Sequence, residues 1–520
     1  MRQRAWHLNR CKKKLGHNLT FTVQEVLVQY SLRQRIGLLL GIATFVLMLS
    51  LPKPTTVSDA AWKTAALTLL MAMWWITEAI PIFATALLPA VLLPMLDIAS
   101  AKDAMAAYAN PIIFLFMGGF FIALAIEERG LHRRIALWIL SKIPPEPITI
   151  VGGFMLVTAL ISMWVSNSAT TLMMLPIGQS VVDLVLSEED SKSTRTNFAT
   201  AMMLGIAYSS SIGGMGTLVG TPPNAYFAGY MNETYGVKVS FAQWALVGIP
   251  LVFISLPLSW LLMTKFIFRL PKEPLRTSQH LIASQLRALG KMTEGEKRVA
   301  IIFGITALLW IFEPLVSAAF PKLNLSDAGI AMLGALLLFL VPVDFKQGEF
   351  VMSLRQAQKL PFDTLLLFGG GISLAQAIQK SGLAKAASES LAGLSTAPIL
   401  VVVLLVALAA IFATELIGNT ALAATMLPIV APVATAMGEN PYLLLLPVTF
   451  GVSCAFMLPV GTPPNAIVYA SGLISAPEMA KAGFWLNMLF TLIIVALVFL
   501  LAPSVFNISL GTLPDWSRGK

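Results

Sequence analysis

Apolar residues in this chain gather in long, unbroken runs instead of alternating with polar ones. Residues 36–52, 104–126, 239–264, 390–414 and 485–514 contain no charged side chain, and 330–343 is a shorter run of the same kind. A helix crosses the hydrocarbon of a bilayer in roughly 20 apolar residues. The pattern lacks the two-residue alternation of a barrel, and backbone groups in lipid must pair internally, so the runs predict membrane helices. The shortest run predicts a tilted or packed span. The expected fold class is therefore an all-α polytopic membrane protein.

One uncharged stretch does not fit a simple span. Residues 147–182 are 36 positions without charge, too many for one crossing and too few for two full ones. The stretch predicts a span followed by a re-entrant helical hairpin with its tip in "VSNSATT", at Ser166, Asn167 and Ser168. Such residues cap helix N-termini. A helix N-terminus presents unpaired N–H groups and a partial positive charge, which suits an anion.

The chain then repeats itself. "LFMGGFFIALAIEERGL" from Leu115 is matched by "LLFGGGISLAQAIQKSGL" from Leu366, and "SNSATTLMMLPI" from Ser166 by "GNTALAATMLPI" from Gly418. "VGTPPNAYFAGY" from Val219 is matched by "VGTPPNAIVYASG" from Val460. Gly130 and Gly382 are 252 residues apart, as are Asn167 and Asn419, while Asn224 and Asn465 are 241 apart. Three motif pairs in one order indicate a duplicated unit of about five spans, and an odd number of crossings inverts the second copy. The second tip falls at Gly418, Asn419 and Thr420. Each Gly-Thr-Pro-Pro-Asn, with Thr221 and Pro222 or Thr462 and Pro463, predicts an unwound kink, because consecutive prolines remove N–H donors. Free carbonyls there are suitable ligands for a cation such as Na⁺.

Charge adds topology. The chain is 57% hydrophobic and 12% charged, with a mean hydropathy of +0.79 and a net charge of +9. Residues 1–34 carry seven Lys/Arg against one acid, and 265–298 carry eight against three. Basic loops mark the cytoplasmic side, so the N-terminus is expected inside, without a cleavable signal peptide or nucleic-acid partner. Cys11 and Cys454 form no disulfide framework and no metal-site spacing. The expected organisation is a basic extension (1–34), the first helix and first repeat (35–264), a basic linker (265–298), the second repeat (299–506) and a tail (507–520).

With "WWITEAIPIFATALLP" from Trp74, the paired tips and the paired Gly-Thr-Pro-Pro-Asn kinks, residues 36–506 resemble the divalent anion:sodium symporter family, carriers of dicarboxylates, citrate and sulfate. The resemblance implies a homodimer of about eleven transmembrane helices per chain, with two re-entrant hairpins in two inverted repeats, working as an elevator. It implies substrate contacts at Ser166, Asn167, Ser168, Gly418, Asn419, Thr420, Thr221, Pro222, Thr462 and Pro463. It further implies one sodium site at Ser162, Ser166, Asn167 and the carbonyls around Gly213 and Gly214. The other would lie at Thr414, Asn419 and the carbonyls around Cys454 and Ala455. Ser168 stands where the family has threonine. Gly418 stands where it has serine, which removes a hydroxyl from the second tip.

Two acids fall in or beside apolar runs, where a charge is costly. Glu78 is read either as interfacial or as functional, and Glu415 as a support for the second hairpin or its cation site. His7, His17 and His132 lie in polar stretches and His280 in the basic linker, so none is a candidate base. The sequence thus favours a secondary transporter of small divalent anions, a multi-pass protein of a plasma or inner membrane, with Na⁺ as the co-transported ion and no organic cofactor. A sodium-independent exchanger on the same fold and an anion channel are the alternatives. A membrane hydrolase would need a nucleophile with a base or a metal cluster, and the apolar runs hold no histidine. Proton, sodium or metalloid carriers of related design would carry an aspartate in the broken segments, and the four motifs have none.

Overall fold

The computed structural model describes residues 30–188, 192–270, 276–390 and 397–518. Most of the basic extension, with Cys11, His7 and His17, lies outside the described residues. The fold is α-helical; the described strands are one small antiparallel pair, Pro342–Asp344 with Glu349–Phe350. Among the described residues six helices are long and apolar enough to cross a membrane: Leu32–Ser50, Ala101–Glu128 (with a short irregular break), Phe241–Ile267, Glu294–Ala319, Asn419–Ala436 and Ala476–Leu500. Polar caps set the starts of four of them. Ser31 with Gln34, Ser240 with Gln243, Thr293 with Glu296 and Ser475 with Glu478 each close a capping box.

Caps also explain where the sequence misjudged element limits. The last long helix begins at Ala476, nine residues before the uncharged run at 485, because Ser475 and Glu478 cap it there; it ends at Leu500. The shorter run predicted at 330–343 is the helix Asp327–Leu340, and it is a packed one. A Cβ on Gly118 of the helix Pro111–Glu128 would lie 2.5 Å from the Ala331 backbone, so the absence of a side chain lets the two helices touch.

The duplicated motifs become duplicated structure. Pro111–Glu128 ends in Gly130 at φ 74°, followed by the helix Leu131–Leu140; Phe362–Lys380 ends in Gly382 at φ 80°, followed by Leu383–Ser390. In both places the chain needs the left-handed region, which glycine enters without strain. His132, expected in polar surroundings, is instead buried in the Leu131–Leu140 helix with Nδ1 3.1 Å from the Ile126 carbonyl oxygen.

The stretch 147–182 is divided once, not twice. Pro147–Ser162 and Asn167–Glu188 are two packed helices around a single break, so the first is an arm of the hairpin and not a separate span. The repeat is Ile399–Ala413 and Asn419–Ala436 around 414–418. Each hairpin is followed by a broken helix, Lys192–Gly214 with Pro222–Tyr235, then Tyr442–Gly451 with Pro463–Tyr469.

The two copies exchange partners. Asn167–Glu188 and Lys192–Gly214 pack against Pro463–Tyr469, while Asn419–Ala436 packs against Pro222–Tyr235. Aromatic contacts reinforce the exchange: the Tyr208 and Phe456 rings stand 5.2 Å apart edge-on, and Trp244 and Phe450 stand 5.0 Å apart. Each hairpin arm is therefore seated on the broken helix of the other copy, which gathers all four motifs into one region.

Candidate functional site

Each hairpin tip is built on a hydroxyl and an asparagine five residues apart. Ser162 Oγ donates to Asn167 Oδ1 at 2.7 Å. Thr414 Oγ1 lies 2.9 Å from Asn419 Oδ1 and 2.7 Å from the Val452 carbonyl oxygen, and has one proton to divide between them. Ser166 caps the first arm, accepting from the Ala169 N–H at 3.3 Å. Gly418 caps the second with no side chain to accept a bond. Nothing lies within 4 Å of a Cβ placed on Gly418, and its φ of −56° suits any residue. The hydroxyl missing from this tip leaves open space.

The broken helices bring carbonyl groups to the tips, and here the sequence reading needs correction. Pro222 and Pro463 do not lie in the unwound part; each begins the next helix, where a missing N–H costs nothing. Thr221 (φ −145°, ψ 142°) and Thr462 (φ −152°, ψ 150°) precede them in matching extended conformations. The free carbonyls lie upstream, and the motif asparagines hold them. Asn224 Nδ2 donates to Gly214 O at 3.0 Å and Thr217 O at 2.8 Å. Asn465 Nδ2 donates to Ala455 O and Leu458 O, both at 3.0 Å. All three positions of each clamp are displaced by the same 241 residues. Both amide Oδ1 atoms are buried without a protein partner.

Tight backbone approach places these carbonyls against the tips. A Cβ on Gly213 would fall 2.2 Å from Ala159 O, and one on Gly214 would fall 2.5 Å from Asn167 Oδ1. Only glycine lets the broken helix lie this close to the hairpin. Thr217 Oγ1 donates to Met163 O at 2.5 Å and ties the same two elements together.

The second copy makes the corresponding tie with a carboxylate. Met163 and Glu415 are 252 apart, and Thr217 and Leu458 are 241 apart, so they occupy equivalent positions. Glu415 is buried and accepts four hydrogen bonds: Oε1 from the Phe456 and Met457 N–H groups (2.8 Å each) and Asn487 Nδ2 (2.9 Å), Oε2 from the Leu458 N–H at 2.9 Å. Successive backbone donors in an unwound segment would otherwise be unpaired in an apolar interior. Glu415, expected to support the second hairpin or its cation site, instead holds the N–H groups of the broken helix from the hairpin tip. Glu78 is exposed, with a backbone φ of 52° at the end of Asp59–Thr77.

The expected site residues separate by accessibility. Ser162, Thr414, Gly213, Gly214, Cys454 and Ala455 are buried, as are Thr221 and Thr462. Ser166 and Pro463 are exposed, and Asn167, Ser168, Gly418, Asn419, Thr420 and Pro222 are half-buried. Each tip therefore has a buried side, where hydroxyl, amide and carbonyl oxygens converge, and an open side with helix N-termini. The buried side is suited to a dehydrated hard cation, the open side to an anion.

Three participants escaped the sequence reading. Asn487 is a lone amide in an apolar run, a signal that was visible but had no partner to suggest its use. Thr171 Oγ1 lies 2.8 Å from Asn167 O and 3.0 Å from Ser210 Oγ, a link hidden among ordinary helix hydroxyls. Arg33 comes from far away in sequence: its guanidinium donates to Leu416 O in the second tip at 3.1 Å, across 383 residues. Neither tip motif contains a basic residue, so this cation could only be found in three dimensions.

A polytopic helical protein with paired hairpins and paired broken helices around one site belongs to the architectural class of secondary transporters. The family model for the sodium:sulfate symporter transmembrane region matches residues 32–507, and the chain belongs to that family. The sodium-dependent dicarboxylate transporter SdcS of Staphylococcus saprophyticus is 41% identical over 484 residues, covering 92% of this chain and 93% of the relative. SdcS of Staphylococcus aureus strain USA300 is 40% identical over 490 residues, covering 93% and 94%. The crystal structure of the Alcanivorax borkumensis YdaH transporter, described as having an unusual topology, shares the fold at a TM-score of 0.53 and 14% identity, covering 85% of this chain and 98% of that one. The chain is an integral membrane protein of a transporter family, not an enzyme.

Proposed function

We propose that this protein is a Na⁺-coupled secondary transporter of small divalent anions, with dicarboxylates first among them. The observation that carries the reading is the duplicated pairing of a hydroxyl with an asparagine oxygen, Ser162 with Asn167 and Thr414 with Asn419, beside clamped carbonyl groups. Gly214 O and Ala455 O each accept one hydrogen bond and keep a second lone pair for a cation. Na⁺ bound at Ser162, Ser166, Asn167 and Gly213–Gly214, and at Thr414, Asn419 and Cys454–Ala455, would put positive charge directly behind the two tips. A dianion on the open side then meets helix N-termini, Ser166, Ser168, Thr420, and the Thr221–Pro222 and Thr462–Pro463 turns. Cation and anion each lower the cost of bringing the other into the membrane, which is the physical origin of coupling.

The finer mechanism belongs to the same proposal. The hairpins and broken helices form one site-bearing body, supported by their exchanged packing, which moves as an elevator against the remaining helices of a homodimer. Repeats at 35–264 and 299–506, inverted about the basic linker 265–298, flank it between the 1–34 extension and the 507–520 tail. The N-terminus faces the cytoplasm across a plasma or inner membrane. SdcS relatives bear the name of sodium-dependent dicarboxylate transporters, which supports the choice of substrate and ion.

The test is uptake of labelled succinate and labelled sulfate by proteoliposomes, with an inward Na⁺ gradient or with choline in its place. Uptake of either anion only with the gradient is expected. Uptake that requires internal anion but no Na⁺ would replace the symporter with an exchanger, a reading favoured by the bare cap at Gly418. Conductance that ignores the gradient would point to a channel.

A further inference from the structure

Arg33 belongs to the basic stretch whose charge was read as topology, yet the fold delivers it to the second hairpin tip. Its guanidinium donates to Leu416 O at 3.1 Å and to the Ile76 carbonyl oxygen at the end of Asp59–Thr77. Neighbours pin the same corner: Tyr30 donates to Ala79 O, and Gln34 Nε2 to Glu78 O at 3.2 Å. Both acceptors of Arg33 are neutral carbonyls. No carboxylate lies within 4.0 Å of it among the described residues, so its charge is uncompensated by an ion pair. Leu416 stands two residues before Gly418, the cap of the arm Asn419–Ala436.

We infer that Arg33 is a positioning residue for the anion at the second tip, holding the Leu416 carbonyl and adding a full positive charge beside a helix N-terminus that lacks a capping side chain. The two copies differ here. In the first, Ser166 caps the arm with its hydroxyl; in the second, the cap is bare and the fold sets a guanidinium alongside. A half-charge from a helix end and a unit charge from Arg33 act in the same direction on a dianion. Arg33 is exposed in the first turn of the helix Leu32–Ser50, and the effect of an exposed charge falls with ionic strength.

This inference rests on the transport reading above, and two measurements keep them separate. In proteoliposomes containing the full chain, Arg33→Gln is expected to raise the KM for succinate about five-fold with little change in maximal rate, the effect of one charge a few ångströms away in water. Arg33→Lys, which keeps the charge, is expected to stay near the unmodified protein, and the singly charged succinamate is expected to lose less than succinate. An unchanged KM for Arg33→Gln, or equal losses for Gln and Lys, overturns the inference. The second measurement needs no transport. In Leu416→Cys protein lacking Cys11, corrected for labelling without the Leu416 change, the rates of an anionic and a cationic methanethiosulfonate are compared. Arg33→Gln is expected to lower the anionic-to-cationic ratio about ten-fold. An unchanged ratio removes Arg33 from the tip even if the unmodified protein carries neither succinate nor sulfate. Failure of uptake with the ratio shifted faults the transport reading alone.

Discussion

Asn224 and Asn465 grip their chains in the same way, each donating its side-chain amide to carbonyls ten and seven residues upstream. Two side chains 241 residues apart thus set the geometry of the two broken helices. Replacing either by alanine removes the side-chain donor from Gly214 O or Ala455 O, at a cost of about 1–3 kcal/mol, while Thr217 O and Leu458 O keep the N–H groups of Gly220 and Gly461. Asn224→Ala and Asn465→Ala are expected to melt at lower temperature than the unmodified protein in detergent. Half-saturating Na⁺ should rise in whatever uptake remains. A variant with unaltered melting and Na⁺ dependence would show that the clamp does not order the carbonyls.

Asn167 and Asn419 carry the oxygens on which each tip is centred. Asn167→Ala and Asn419→Ala are expected to abolish uptake, by twenty-fold or more on the scale of about 2 kcal/mol, while the protein still inserts and elutes as a single species. Uptake and size-exclusion profiles of the same preparations check this together. Full uptake in both would remove the tips from the site.

Gly418 has room for the hydroxyl it lacks. Gly418→Ser is expected to be tolerated, and to cap the Asn419–Ala436 arm by about 0.5 kcal/mol or less, the small gap between glycine and serine at this position. If the second cation site operates, half-saturating Na⁺ should fall. An unchanged Na⁺ titration would mean that the site is built without this position.

Gly214 has no room. A Cβ there would lie 2.5 Å from Asn167 Oδ1, so Gly214→Ala is expected to displace the tip amide and reduce uptake at low Na⁺ more than at saturating Na⁺. Uptake against Na⁺ concentration reads this directly, and equal loss at all concentrations would point to general misfolding instead.

Glu415→Gln keeps the shape but not the charge. One oxygen remains for three of the four donors, and the new NH₂ group faces the Leu458 N–H or its neighbours. Losing hydrogen bonds to a charged acceptor costs about 1.5–3 kcal/mol apiece, so the melting temperature is expected to drop more than for Asn487→Ala. The reverse order would assign the support of the broken helix to Asn487.

Much of the candidate site was legible because duplication prints each tip and kink motif twice. The tip asparagines, Ser162 with Thr414, and the two Gly-Thr-Pro-Pro-Asn stretches could be paired by constant offsets before any fold was known. The boundaries were less legible. Ser475 and Glu478 start a helix in polar sequence that hydropathy alone passes over, and Pro222 and Pro463 begin helices where their type suggested a break. Proline removes a donor at either kind of position, and only the surrounding backbone decides which.

The sequence by itself determined the class of this protein, its duplication and the identity of its oxygen-bearing residues, because hydropathy and repeat spacing are properties of the chain read locally. Which oxygens converge, and which charge stands beside them, depended on contacts between residues tens to hundreds of positions apart. Gly214 meets Asn167 because two helices pack without a side chain between them. Glu415 serves N–H groups some forty residues away, and Arg33 reaches Leu416 across 383 residues. No local pattern encodes those meetings; the packing of each hairpin on the broken helix of its own copy brings about the first two, and the seating of Arg33 against the second tip the third.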